Sequence, residues 1–403
     1  MPSDPNAYKN REPHKLPDSQ QKYMYEDNAV VLVTAGHDHS IRMWDALKSS
    51  CTRTIQYNDS QINRIALSPD KRYLAVAGNP HVKLYDVFSP SQNPILILEG
   101  HKAAVTAVEF TSDMRYLATS SEDKSIRWWD LRSGSCEHVL EGSHPFNGIA
   151  IVPTFRHEFI VSCDQGGHVL LWSIKLKSVL VKILLDSDSS RVPQSVRTVA
   201  VSPDGKVIVA ANNLGGVFVY KLSISNDLLE QQQTFLKNKA SNPDQITPQI
   251  FDASSLLDAR LITSFNAHDG KYITRSVFSG NGKFLVTCSA DKTAKIWRFK
   301  TVKISNKLDQ TTQNSKNQQI SIQPFSPKKT EYIYEIRAEL VHTLSYHKSW
   351  VWDAAFSNDS GYLVTVSSDK TAALWDVLRG RVIKEFIGHE KGVLCVALND
   401  ATT

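Results

Sequence analysis

The sequence predicts an all-β protein, a seven-bladed β-propeller closed by the C-terminal strand joining the N-terminal blade. Three observations lead there. An aromatic residue ends a short strand seven times, at Trp44, Tyr85, Trp129, Trp172, Tyr220, Trp297 and Trp375. The steps between them are 41, 44, 43, 48, 77 and 78 residues. The first four are ordinary blade lengths, and the last two are one blade plus roughly 30 residues of insertion. Finally, the first blade lacks its innermost strand, and a spare inner strand stands at the end of the chain.

The clearest unit is Tyr346 to Asp376. His347 opens it, two apolar runs, Val351–Phe356 and Tyr362–Val366, flank the turn 357–361, and a third strand, Thr371–Trp375, ends in Trp375-Asp376. Short strands separated by polar turns are the mark of a propeller blade, and the G-H…W-D pattern near a 40-residue period looks like a WD repeat.

Residues 1–28 are rich in Pro, Asp, Asn, Gln and Lys and read as a disordered tail ahead of a propeller spanning 29–403. Blade one shows three strands only, Ala29–Ala35, Ser40–Trp44 and Cys51–Gln56. Gly388-His389 begins one more repeat, and Val393–Leu398 supplies the missing inner strand. Closing the ring this way removes exposed sheet edges. Blade two runs from Ile62 to Leu98, and blade three starts at Gly100-His101. Blade four, Pro145–Leu185, is irregular, with Gly166 where an acid is expected six residues before Trp172. Blade five begins near Ser195 and is followed by an insertion at about 223–258, before an outer strand Arg260–Phe265. Blade six opens at His268, and a second insertion at about 300–334 follows its third strand. That insertion is dominated by Asn, Gln, Ser and Lys, a composition that buries no core. Ser326-Pro327-Lys328 within it suits a proline-directed kinase, against the plainer reading of an unused exposed loop.

Composition agrees. At 403 residues the chain exceeds a usual single core, a limit that a ring of small sheets escapes. With 46 basic and 41 acidic residues, no nucleic-acid footprint stands out. Five scattered cysteines without a CxxC pair read as reduced intracellular thiols. The N-terminus lacks a signal-peptide core. No apolar run approaches a membrane span, since even Val179–Leu185 is interrupted by Lys182. The expectation is a cytoplasmic protein without direct membrane insertion.

Four blades carry His, Thr, Asp and Trp at matching positions. They are His101, Thr119, Asp123 and Trp129; His268, Thr287, Asp291 and Trp297; His347, Thr365, Asp369 and Trp375; and, split by ring closure, His389 with Thr34, Asp38 and Trp44. His, Asp and a hydroxyl suggest nucleophilic catalysis. A catalytic constellation, however, occurs once, and this one occurs four times at fixed spacing. It reads as a buried hydrogen-bond relay from Asp to His to Thr to the indole N–H. Blades two and five lack the acid, with Asn79 and Leu214 in its place, and are expected to be held by packing. There is no phosphate-binding loop, HExxH or calcium loop, and the 13 histidines suit relays and surface better than metal. No cofactor, no metal and no enzymatic activity are expected.

Both insertions and both termini fall on one face of the propeller, so the uncluttered opposite face is the expected docking face. The competing reading gives a regulatory role to the insertion face. Trp350 and Trp352 bracket the start of an inner strand and aim toward the channel entrance of the free face, with Tyr272 at the matching position of blade six. Trp and Tyr dominate interface hot spots. Packing inside the ring is the alternative for both tryptophans. Arg197, Asn63 and Gln61 are candidates for a polar rim.

The runs LVTAGHDHSIRMWDAL, TCSADKTAKIW, SWVWDAAFSNDSGYLVTVSSDKTAALWD and GHEKGVLCVALND resemble the small WD-repeat subunits of target-of-rapamycin (TOR) kinase complexes, the lethal-with-sec-thirteen-protein-eight family. The likeness covers about residues 29–222 and 260–400. It implies a non-catalytic subunit that sits on the C-lobe of the kinase catalytic domain, with the other subunits of the complexes as further partners, in growth and nutrient signalling. It also implies recruitment to endomembranes through the kinase complex, and Trp350, Trp352 and Tyr272 as kinase contacts. The runner-up is another scaffold of the same fold, such as a G-protein β-like or ubiquitin-ligase adaptor protein. A coiled coil expected of a G-protein β subunit is absent from residues 1–28. A propeller hydrolase would need a singular constellation in the channel.

Overall fold

A computed structural model describes residues 30–153, 158–185, 194–224, 257–304 and 333–400. The proposed tail, most of both insertions and Ser326 lie outside them. Every regular element among the described residues is a β-strand, 28 in all, arranged as seven antiparallel four-stranded sheets. Each sheet is a blade with inner, second, third and outer strands. No described helix is long and apolar enough to cross a membrane.

Burial follows strand position. The second strands are apolar and buried along nearly their whole length, as in Val31–Gly36, Tyr73–Ala77 and Phe159–Asp164. Each is covered by a neighbouring blade on both faces, which removes the usual alternation. The outer strands alternate between exposed and half-buried positions, as in Ser135–Glu141 and Arg381–Ile387, because only one face meets a neighbour.

Among the described residues there is no single core but seven apolar clusters, each shared by two adjacent blades. One joins Leu32 and Trp44 of blade one to Val364 and Phe386 of blade seven, so the seam between chain ends is packed like the others. The ring closes as Val31–Gly36 pairs antiparallel with Val393–Asn399. The backbones approach closely there: a Cβ on Gly36 would stand 2.3 Å from the carbonyl oxygen of Gly392.

Both insertion intervals join a third to an outer strand. The strands reach further into them than polar composition suggests. In blade five pairing runs out to Ile224 and Leu257, and in blade six to Ile304 and Ile333. Backbone pairing tolerates polar side chains where no core is required.

One irregularity recurs. In five blades the ladder between inner and second strands skips one inner-strand residue: Thr106, Asn147, Arg197, Thr274 and Trp352. In blade one the skipped residue is Leu394. A bulge of this kind turns its side chain out of the ladder.

Candidate functional site

The bulges build the mouth of the central channel. Leu394, Thr106, Asn147, Arg197, Thr274 and Trp352, with Asn63 just ahead of the inner strand of blade two, all line one cavity of about 260 Å³. Several also stitch neighbouring blades. The Asn63 amide donates to the Val105 carbonyl at 3.0 Å, Asn147 to Val196 at 2.7 Å and the Thr274 hydroxyl to Val351 at 2.6 Å.

On one side of the mouth four side chains form a continuous rail across blades five, six and seven. The Arg197 guanidinium lies 4.7 Å from the Tyr272 ring centre. Tyr272 stacks on Trp350 at 6.2 Å and 27°, and Trp350 meets Trp352 at 5.4 Å. Arg197 also donates to the Asn147 side-chain oxygen at 3.2 Å. Burial raises the Tyr272 hydroxyl above its usual range, against the opposing pull of Arg197. Trp350 is 43% exposed. Trp352 is half-buried, packs against the apolar seam between blades one and two, and donates its indole N–H to Ser368 at 2.6 Å. Trp352 therefore serves as both wall and surface. Gln61 is exposed and donates to Asn63 at 3.4 Å, and both line the mouth cavity with Arg197 and Trp352, while only Arg197 is stacked into the rail.

Beneath the mouth the channel is charged. Buried Asp353 pairs with Arg64 at 2.9 Å and Arg275 at 3.4 Å and accepts from the Val396 backbone N–H. Burial pushes Glu109 up to about 7, against a backbone hydrogen bond from Ile151 and the two arginines. Arg64 and Arg275 also line a cavity of about 600 Å³ that opens toward Pro69, Pro203 and Asn358 at the other end.

The four relays ring the same face. In blade seven the Trp375 indole donates to Thr365 at 2.8 Å, Thr365 and His347 Nε2 are 2.8 Å apart, and His347 Nδ1 reaches Asp369 at 2.9 Å. In blade three Trp129, Thr119, His101 and Asp123 follow at 2.9, 2.8 and 2.9 Å. Blade six has 3.0, 2.8 and 2.7 Å through Trp297, Thr287, His268 and Asp291. Across the closure, Trp44, Thr34, His389 and Asp38 give 2.7, 2.8 and 2.8 Å. Since an indole only donates and a carboxylate only accepts, the protons of each chain run one way, from Trp to Thr to His to Asp. All four threonines are fully buried.

A further member was missed from the sequence. Two residues after each Asp stands a hydroxyl: Ser40, Ser125, Thr293 and Thr371. It donates to the carboxylate at 2.6 to 2.8 Å, and its backbone N–H does so at 2.8 to 3.1 Å. The recurring D-x-[ST] would have found it. Burial alone would raise these carboxyls, but the hydrogen bonds outweigh it. Asp123 and Asp291 are held at about 2, Asp123 chiefly by Ser125 and Asp291 chiefly by His268. Asp38 and Asp369 lie well below the carboxylate range, with His389 and His347 the leading donors. Burial lowers His101 despite Asp123, in keeping with a neutral ring.

Blades four and five are not held by packing alone, and in blade two the Asn79 backbone N–H donates to Ser60 at 2.8 Å. In blade five the buried Asn212 carboxamide accepts from the backbone of Leu214 and Gly216 at 3.0 and 2.8 Å. In blade four Trp172 donates to Ser162 at 2.8 Å, the Phe146 ring meets Trp172, and an acid, Asp164, bonds His168 instead.

The family described as WD domain, G-beta repeat, matches residues 49–86, 92–130, 259–298 and 338–376. Each match runs from an outer strand to the third strand of the following blade. The chain is 39% identical over 270 residues to the target of rapamycin complex subunit wat1 of Schizosaccharomyces pombe, covering 67% of this chain and 74% of that protein. It is 35% identical over 372 residues to the target of rapamycin complex subunit LST8 of Saccharomyces cerevisiae, covering 92% and 99%. It is 32% identical over 379 residues to the subunit of the same name from Mus musculus, covering 92% and 95%.

Proposed function

The chain belongs to the LST8 family of target of rapamycin complex subunits, and from that membership we propose that its mouth face docks on the C-lobe of a TOR-type kinase catalytic domain. It acts there as a non-catalytic subunit that stabilises the active assembly in growth and nutrient signalling, in the cytoplasm and on endomembranes reached through the complex. The carrying observation is the rail of Arg197, Tyr272, Trp350 and Trp352. Stacked aromatics with a guanidinium at one end offer a large rigid contact at small entropic cost. Bulge geometry and interblade hydrogen bonds fix the rail before binding. The repeated relays support it as scaffold.

The test is affinity purification of the tagged full chain beside a Trp350→Ala/Trp352→Ala variant, with mass spectrometry of the captured proteins and circular dichroism of both chains. A large kinase captured by the native chain and lost by the folded variant is the expected result. A kinase retained by the variant would move the interface elsewhere. Capture of other partners without a kinase would favour a general scaffold.

A further inference from the structure

Blade four departs from the relay pattern in a directed way. Gly166 stands where the relay blades carry their acid and His168 where they carry the hydroxyl, while Asp164 occupies the last position of the second strand. His144, in the loop leading to the inner strand, folds over this turn. His168 Nδ1 lies 3.0 Å and His144 Nδ1 3.7 Å from Asp164 Oδ2, and the two rings are 5.3 Å apart. One donor atom from each of the three residues falls within 4.8 Å of the others.

We propose that His144, Asp164 and His168 form a binding site for a zinc-type divalent transition metal ion. Two imidazoles and one carboxylate suit zinc or cobalt over magnesium or calcium, which prefer all-oxygen sets. Zinc–ligand bonds near 2.1 Å put tetrahedral donors about 3.4 Å apart, and the distances of 3.0 and 3.7 Å bracket that value. The Asp164 side chain is 1% exposed, and its ion-pair partners among the described residues are the two imidazoles. The carboxylate accepts from the His168 backbone N–H at 2.8 Å, which fixes its orientation toward the two rings, and a bound ion would add a positive charge to a buried anion. His144 Nδ1 also lies 2.9 Å from the Ser143 hydroxyl, a contact that metal binding would replace. With the His144 side chain 45% exposed, a fourth position is open to water.

Gly166 is part of the design. A Cβ at this position would stand 2.8 Å from His144 Nδ1, so the glycine makes room for the ring. The site has a structural use as well. His144 lies three residues before Asn147, whose side chain holds Arg197 at the end of the rail. A bound ion would fix that loop. The sequence reading, which expected no metal, looked for an acid six residues before Trp172, met Gly166 there and did not weigh Asp164 with the two histidines.

The experiment uses the full chain, freed of any polyhistidine tag and stripped with a chelator, then titrated with Co²⁺ and with Zn²⁺ in competition. The native chain should bind one Co²⁺ with the visible bands of a four-coordinate ion, and zinc should displace it and raise the melting temperature. His144→Ala shortens a half-exposed ring, and Gly166→Ala keeps all three ligands but crowds one. Each should weaken binding by at least about tenfold and remove the zinc-dependent melting shift while the chain stays folded without metal. A native chain that binds no cobalt would overturn the proposal. So would binding that neither variant weakens, since the ion would then sit elsewhere, for example at the exposed Cys51.

Discussion

The relays and the rail share one face of one ring, yet they are opposite kinds of structure. The relays repeat four times with distances that agree within 0.3 Å, are largely buried, and spend their polar groups inside the protein, the carboxylates of Asp123, Asp369 and Asp38 also accepting from the backbone N–H groups of Lys102, Lys348 and Glu390. The rail occurs once, joins three different blades through unlike side chains, and leaves Trp350 open to solvent. Repetition with internal satisfaction marks what holds the blades together. A singular, exposed cluster on the same scaffold is what we propose the scaffold presents.

The largest expected effect breaks the two apart on the rail side. Trp350→Ala should cost about 2 kcal/mol or more of kinase affinity, the size of an interface hot spot, with little change in unfolding midpoint. Titration of purified partners beside a denaturant melt reads both quantities. On the relay side, Asp369→Asn should cost roughly 1–3 kcal/mol of stability by weakening a buried network, and the kinase should still bind well below the new midpoint. An Asp369→Asn chain that unfolds no more easily but no longer binds would erase the distinction.

Acid should act on the relays and not on the rail, whose Arg, Tyr and Trp side chains do not titrate in acid. Their carboxylates titrate lower in the fold than in the unfolded chain. Their stabilisation is thus complete above the ordinary value of 3.8 and lost as pH falls toward and below about 2. His101, lowered by burial, works in the same direction, because the unfolded chain takes up its proton first as pH falls below the ordinary 6.5. Denaturant midpoints across this range should fall for the native chain, and less steeply for Asp123→Asn, by roughly 1–2 kcal/mol at pH 2. Equal slopes for the two chains would show that Asp123 carries no such linkage. The smallest effect sharpens the edge of the rail. Exposed Gln61, apart from it, should tolerate Ala within about 0.5 kcal/mol in stability and lose no measurable affinity. A large affinity loss would extend the contact across the mouth.

The repeated half of this picture was legible in the sequence because propeller geometry imposes fixed spacing. Aromatic steps counted the blades, His389 and the strand after it showed where the ring closes, and the His-Thr-Asp-Trp spacing outlined each relay. Tyr272 and Trp350 stood out as aromatics at equivalent positions, with Trp352 two residues on. The bulges were not legible, since a skipped residue is set by pairing between strands and carries no residue signature. Thr106, Arg197 and Trp352 have nothing chemical in common. Asp164 and His168 were passed over because the reading looked six residues before Trp172 and found Gly166. Asn212 was missed for the same reason, two residues before Leu214. The extended hairpin out to Ile304 and Ile333 was hidden by its polar surroundings.

The central claim, that the rail is the docking surface and the relays are scaffold, is tested most directly by one affinity. Trp350→Ala is titrated against a purified TOR-type kinase catalytic domain, well below the unfolding midpoint of the variant. Binding weakened about thirtyfold or more, the equivalent of about 2 kcal/mol, with an unchanged midpoint is the result predicted. Native affinity in the folded variant would contradict the claim.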